Sequence, residues 1–280
     1  GYVNQYYYAY RYFSHLDSNP EYAAVCALIE QEMPERIVRY LPQLLEQPEL
    51  QEERVPPSRI PTNYFQRFKH SGIFRIRRGD CDISVIEQNP TFLVYMKGQA
   101  VLQSVRLHAA FFGSRGQFIS QEADVQGQTI RLHKSKTHGY YQPFPKEDIP
   151  LDGEWEQMPR SQRTMSEIQT LQYDVAITES EGSLALAITI QGTPHVPVSM
   201  EMSFRAGGLV AGVDPHNHMK DAYFLENGHG TYTVGNDKIH FGPGIAGHSW
   251  SQIRGMLPKQ DGTSVYITGY TPFQHTIEFS

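Results

Sequence analysis

The chain has 280 residues, 39% hydrophobic and 19% charged, with a formal net charge of −6. This balance excludes a disordered polypeptide, and mild acidity without a basic block argues against nucleic acid or an anionic membrane surface as partner. No apolar run reaches the roughly 18 residues that a membrane span needs. Cys26 and Cys81 allow one disulfide at most and exclude a Cys-based structural zinc cluster.

Residues 1–50 read as helical. "YVNQYYYAYRYFSHL" spreads aromatics over most faces. "SNPEYAAVCALIEQEM" opens with a helix-start signature, Asn19 as N-cap followed by Pro20 and Glu21. Tyr22, Val25, Cys26 and Ile29 then recur at helical spacing. "PERIVRYLPQLLEQ" predicts a third short helix, interrupted at Pro42. Residues 51–62, ending "ERVPPSRIP", are charged and proline-rich and predict a linker. The chain begins with Gly1, and three short helices facing aromatics in several directions need more partners than they supply. They are expected to be the tail of a larger α/α domain.

From residue 63 to 280 the period changes to two. "IFRIRR", "VLQSVRLHAAFF", "SLALAITIQ" and "VSMEMSFRAGG" alternate apolar and polar positions, with turn signals such as "RGD" 78–80, "KG" 97–98 and "EG" 181–182 between runs. The pattern predicts large antiparallel sheets, each with one buried face, stacked as a β-sandwich. No repeat of fixed length supports a propeller.

Several stretches carry residues suited to chemistry. Arg106 and His108, two apart on a strand, share a face and suit a carboxylate or sulfate; alternatively both are solvated outer-face residues. "KSKTHGYY" offers His138, Tyr140 and Tyr141 on a turn at Gly139. Histidine and tyrosine suit proton abstraction beside a carboxylate, where a base takes the proton and an acid protonates the leaving oxygen. The structural alternative is a hairpin end with exposed aromatics. His216 and His218 form an H-x-H pair without a third ligand, so no metal is expected. "GPGIAG" 242–247 fits a nucleotide-loop string, but Pro243 and the lack of a βαβ unit speak for a plain loop. No cofactor is expected. In "SVIEQNPTFLVYMKG" 84–98, Glu87, Gln88, Asn89 and Pro90 interrupt two strand-like runs, either as a working site or as a turn that Pro90 stiffens. Trp155 and Trp250 are candidates for stacking on pyranose rings.

The layout resembles the heparinase II/III-like group of polysaccharide lyases. The matching stretches are helical residues 2–45, the linker, "HSGIFRIRRGD" 70–80, "PTFLVYMKGQAVLQSVRL" 90–107 and "YFLENGHGTYTVGNDKIHFGPG" 223–244. The resemblance implies a mainly β fold: a large antiparallel β-sandwich of the galactose-mutarotase-like supersandwich type, preceded by the last helices of an (α/α) toroid. It implies β-elimination of an acidic polysaccharide and a secreted or periplasmic location. Asn89, Arg106 and His108 would hold the uronate, with Gln88 and His138 beside it; Tyr140 or Tyr141 would serve as acid, and His108 counts with them as a catalytic candidate. The family's histidine-rich turn stands here as "ISVIEQNPTF", without histidine, so those histidines have no counterpart. The expected partners are the glycan and the remainder of the helical domain, without which turnover is expected to be low. The rival expectations are a non-catalytic sugar-binding module, resting on Trp155 and Trp250, and a purely structural sandwich.

Overall fold

The computed structural model describes residues 3–52 and 55–280. The first two residues of the expected helical leader, and Glu53 and Arg54 of the expected linker, lie outside them. The chain divides into two compact units, Gly1–Thr62 and Asn63–Ser280.

In the first unit, α1 (Val3–Asp17) and α2 (Pro20–Glu32) pack as a pair. The side chain of Asn19 accepts the Glu21 N–H at 2.8 Å. Pro20 occupies the first turn, where its missing donor costs nothing. The third helix differs from expectation. Residues 34–40 form two 3₁₀ turns, and α3 (Leu41–Glu46) begins beside Pro42 instead of breaking there. A proline tolerated in a first turn starts a helix as readily as it ends one. Tyr7, Cys26, Ile29, Leu44 and Leu50 form the small core of this unit. Glu30 accepts from the Tyr7 hydroxyl at 2.6 Å and pairs with Arg11 at 2.8 Å, so its buried edge is satisfied. The segment expected as a linker is partly docked: Ser58 N–H donates to the Pro20 carbonyl at 3.0 Å.

The second unit is built of two sheets, with strands numbered along the chain. The nine-stranded sheet runs, in spatial order, β1 (Asn63–Phe68), β2 (Ile73–Arg78), β3 (Cys81–Ile86), β4 (Leu93–Lys97), β5 (Ala100–Ala109), β10 (Pro197–Phe204), β16 (Thr263–Tyr270), β13 (Ala222–Phe224) and β12 (Asp214–Pro215). The eight-stranded sheet runs β11 (Leu209–Ala211), β14 (Gly230–Val234), β15 (Asp237–Gly242), β17 (Phe273–Phe279), β9 (Ser183–Gly192), β8 (Met165–Ser180), β7 (Thr129–Tyr141) and β6 (Glu122–Gln126). Among the described residues, every pairing of these strands is antiparallel except β13 with β16.

One apolar cluster joins the two sheets. Phe74, Ile83, Leu107, Met200 and Ile267 come from one side, and Leu132, Val175, Ile188 and Ile277 from the other. The architecture is therefore sandwich-like, and period-two alternation is its cause. Polar ties cross the same interior. Arg78 pairs with Glu179 at 2.8 Å, and the Tyr95 hydroxyl donates to the Gly182 carbonyl at 2.9 Å.

The expectation of one buried face per sheet fails in the middle of the larger sheet. β9 alternates as predicted, but β10 is buried along nearly its whole length, and so are β5 and β16. The outer face of these strands is covered by a strap, residues 243–262. It is held through its backbone by the polar side chains that alternate on the sheet. Ser199 Oγ donates to the Ser251 carbonyl at 2.7 Å, Thr268 Oγ1 to the His248 carbonyl at 2.5 Å, and Arg106 Nη2 to the Pro258 carbonyl at 2.6 Å. Irregular backbone laid on a sheet needs such partners, which explains why these positions are polar and yet buried.

Candidate functional site

At one end of the sandwich, five segments enclose a cleft of about 640 Å³. Its walls are the turn after β5 (110–115), the end of β7 (138–141), residues 167–169 of β8, residues 193–196 between β9 and β10, and Arg254 of the strap. Volumes in this range hold small-molecule and sugar ligands.

The β7 wall owes its shape to a bulge. The pairing of β7 with β8 shifts between His138 and Tyr140. A side chain at Gly139 would meet the Ser166 carbonyl at 2.5 Å, so only glycine lets β8 approach here. Opposite the bulge, Glu167 has a left-handed φ of 51°. The result places His138, Tyr140 and Tyr141 around one opening. Phe112, itself at φ 44°, packs on His138 with ring centres 4.8 Å apart and on Tyr140 at 5.1 Å. The tyrosines do not lift off the sheet at a turn, as the sequence suggested; both belong to the bulged strand.

Two cations complete the cleft. Arg115 sits on the 3₁₀ turn Gly113–Gly116, which Lys134 pins from below. The Lys134 ammonium donates to the carbonyls of Arg115, at 2.8 Å, and Gln117. Burial, with the nearby charge of Lys136, pulls the Lys134 ammonium down to about 8. Arg254 is carried by the strap. Neither the Arg115 nor the Arg254 guanidinium makes a hydrogen bond or ion pair among the described residues, and both residues are exposed. Glu167 is the one carboxylate among the lining residues. Burial, then the cations Arg115 and Lys136, hold the His138 imidazole below its ordinary pKa. His138 is therefore neutral near neutral pH, with no hydrogen-bond partner among the described residues. The arrangement offers charge for an anion, aromatic faces for a ring, and an imidazole able to take a proton.

The other expected site residues fall elsewhere. His108 is fully buried under the strap, where its Nε2–H donates to the Arg254 carbonyl at 3.1 Å. Burial drives its pKa down to about 4. It positions Arg254 and has no face open to a ligand. Arg106 is spent on Glu201, with its side chain only 6% exposed, and neither expectation for it, solvated or gripping a substrate anion, matches that burial. Asn89 accepts the Thr91 N–H at 2.9 Å and Gln88 turns at φ 54°, so this pair closes the β3–β4 turn and lines neither of the clefts described here. Trp155 lies beyond the cleft wall but joins it through Arg163, whose guanidinium stands over the rings of Trp155 at 5.8 Å and Tyr141 at 5.0 Å. Trp250 lines an adjoining cleft of about 620 Å³.

Sequence reasoning missed Arg115, Arg254, Glu167 and Phe112. A guanidine next to a turn glycine, in "GSRG" and "QIRG", was the available signal for the two arginines. No protein-family model matches the chain, and no curated protein matches it. Among the described residues no group of three or more His, Cys, Asp or Glu is placed to hold a metal ion, and no helix is long and apolar enough to cross a membrane.

Proposed function

We propose that the second unit binds an acidic saccharide in the end cleft, as the β part of a carbohydrate-active protein resembling the heparinase II/III-like lyases. The observation that carries this reading is the gathering of Arg115 and Arg254, whose guanidinium groups are unpaired among the described residues, with His138, Tyr140 and Tyr141 around one opening. A uronate carboxylate pairs with the guanidinium groups, and the sugar ring lies against tyrosine.

The chemistry these residues suit is β-elimination. Neutral His138 takes the proton from the carbon bearing the carboxylate, and the arginines neutralise the charge that develops there. The electron pair forms the ring double bond as the glycosidic C–O bond breaks, and a tyrosine hydroxyl protonates the departing oxygen. A secreted or periplasmic location and an α/α toroid partner belong to the same reading.

A second reading, glycan binding without turnover, is favoured by His138 having no hydrogen-bond partner among the described residues. Catalytic bases are held in orientation by a third group.

The test measures binding and unsaturated-product absorbance together, on alginate, heparin, chondroitin and hyaluronan. Saturable binding to at least one polymer, lost in the Arg115→Ala/Arg254→Ala double variant, is expected. Product formation lost in His138→Gln selects elimination over binding alone. Absence of binding to any acidic polymer leaves the purely structural sandwich as the answer.

A further inference from the structure

The end cleft and the cleft that Trp250 lines share Ala110 and Arg254. Arg254 therefore stands where two adjoining spaces meet, and its guanidinium has no partner among the described residues.

The second cleft has its own character. Among the described residues no carboxylate lines it. Trp250 is 55% exposed, yet it is not loose. Its backbone N–H donates to His248 Nδ1 at 3.2 Å, its ring lies on His248 at 5.1 Å, and His248 abuts Tyr270 at 5.1 Å. An exposed indole held by its neighbours is a rigid stacking platform, with little entropy to lose on binding. The same cleft is lined by His216 and Ser251, 3.0 Å apart. They resemble a nucleophile and its base, but the tautomer is wrong. His216 Nδ1 accepts the His218 N–H at 3.1 Å, so the proton sits on Nε2 and the ring donates to Ser251. Ser251 is not activated, so this pair makes no nucleophile here.

We propose that the two clefts form one groove for an extended acidic glycan, with Arg254 binding an anionic group at its centre and Trp250 stacking on a sugar ring at its far end. The groove then reads several sugar units, with tyrosine at one end and tryptophan at the other. Each space alone suits a ligand of ordinary small-molecule size, and together they exceed what a monosaccharide fills. Charge selects the occupant: two guanidinium groups against the single carboxylate of Glu167 favour an anion, and the rigid indole favours a ring. This inference rests on the acidic-saccharide reading above.

The experiment is titration calorimetry of the full chain with uronate oligomers from dimer to hexamer, and with sulfated oligomers of matched length. Affinity is expected to rise at least tenfold between dimer and hexamer. Trp250→Ala should cut hexamer affinity about tenfold and flatten the dependence on length. Arg254→Ala should weaken oligomers of every length. The better-bound series identifies the central anion as carboxylate or sulfate. Length-independent affinity, or a hexamer bound equally by Trp250→Ala, overturns the groove while the acidic-saccharide reading stands. Failure of every oligomer to bind overturns both.

Discussion

The imidazole of His108 donates its Nε2–H to the carbonyl of Arg254 at 3.1 Å, so a fully buried histidine holds the backbone of an exposed arginine. The bond carries site geometry through the sheet. Arg254 lines two clefts, and its side chain makes no hydrogen bond or ion pair among the described residues. His108 Nδ1 is buried without a hydrogen-bond partner among the described residues, and its environment disfavours a second proton.

The first prediction follows from that cost. The His108 pKa is about 4 in the folded chain and near 6.5 when unfolded. Between those values the unfolded state binds more protons, so stability is full above pH 6.5 and is lost as pH falls towards 4. The shift corresponds to about 3 kcal/mol when complete. Urea midpoints of the wild-type chain should fall across this window, and those of His108→Asn should fall less steeply. Parallel slopes would remove the buried neutral histidine from the explanation.

The second prediction concerns the ion pair of Arg106 and Glu201, 6% and 0% exposed at the side chain. Glu201 also accepts from Ser264 Oγ at 2.7 Å and from the Gln260 N–H at 3.3 Å. Removing one member strands a charge in the interior and costs about 3–5 kcal/mol. Glu201→Ala and Arg106→Ala should each show this loss in chemical denaturation. The double variant Arg106→Met/Glu201→Leu, of similar volume and uncharged, should lose less than either single change. A double variant that loses as much as the single variants would show that a stranded charge is not the cause of their loss.

These two cases mark where sequence reading stops. On β9, Leu184, Leu186, Ile188 and Ile190 point inward and the pattern alone shows it. On β10, Ser199, Glu201 and Ser203 alternate in the same way and read as solvent-facing, yet all three are buried. Their partners come from the strap and from β5, far away in the chain, and local periodicity does not distinguish water from a distant backbone. The site divides likewise. His138, Tyr140 and Tyr141 are contiguous and legible as a chemical cluster, whereas Arg115, Glu167 and Arg254 lie on three separate segments that only the folded sandwich brings together. Gln88 and Asn89 looked chemical because they were polar between apolar runs, but Asn89 uses its side chain on its own turn.

The third prediction separates charge from fold. Arg115 and Arg254 are exposed and unpaired among the described residues, so replacing either with alanine should leave thermal stability within about 0.5 kcal/mol of wild type. Each replacement should lower acidic-glycan affinity about tenfold or more. Raising the salt concentration should weaken wild-type binding more than that of the double variant, because screening acts on the contacts the variant lacks. Equal salt sensitivity would place the anion contact elsewhere.

The fourth prediction tests how Arg254 is placed. Gly255 has a φ of 86°, and a side chain there would meet the backbone of Gly113 at 2.2 Å. The strap therefore presses directly on the turn that carries Arg115. Gly255→Ala should force the strap and turn apart, lowering glycan affinity several-fold and stability by about 1–3 kcal/mol. Gly127 is also left-handed, at φ 61°, but nothing stands within 4 Å of a side chain there. Gly127→Ala should cost only the conformational penalty of about 1 kcal/mol and leave binding as it was. If both variants lose stability alike and neither loses affinity, the contact between strap and turn does not set the position of Arg254. The His108 hydrogen bond would then be sufficient to hold it.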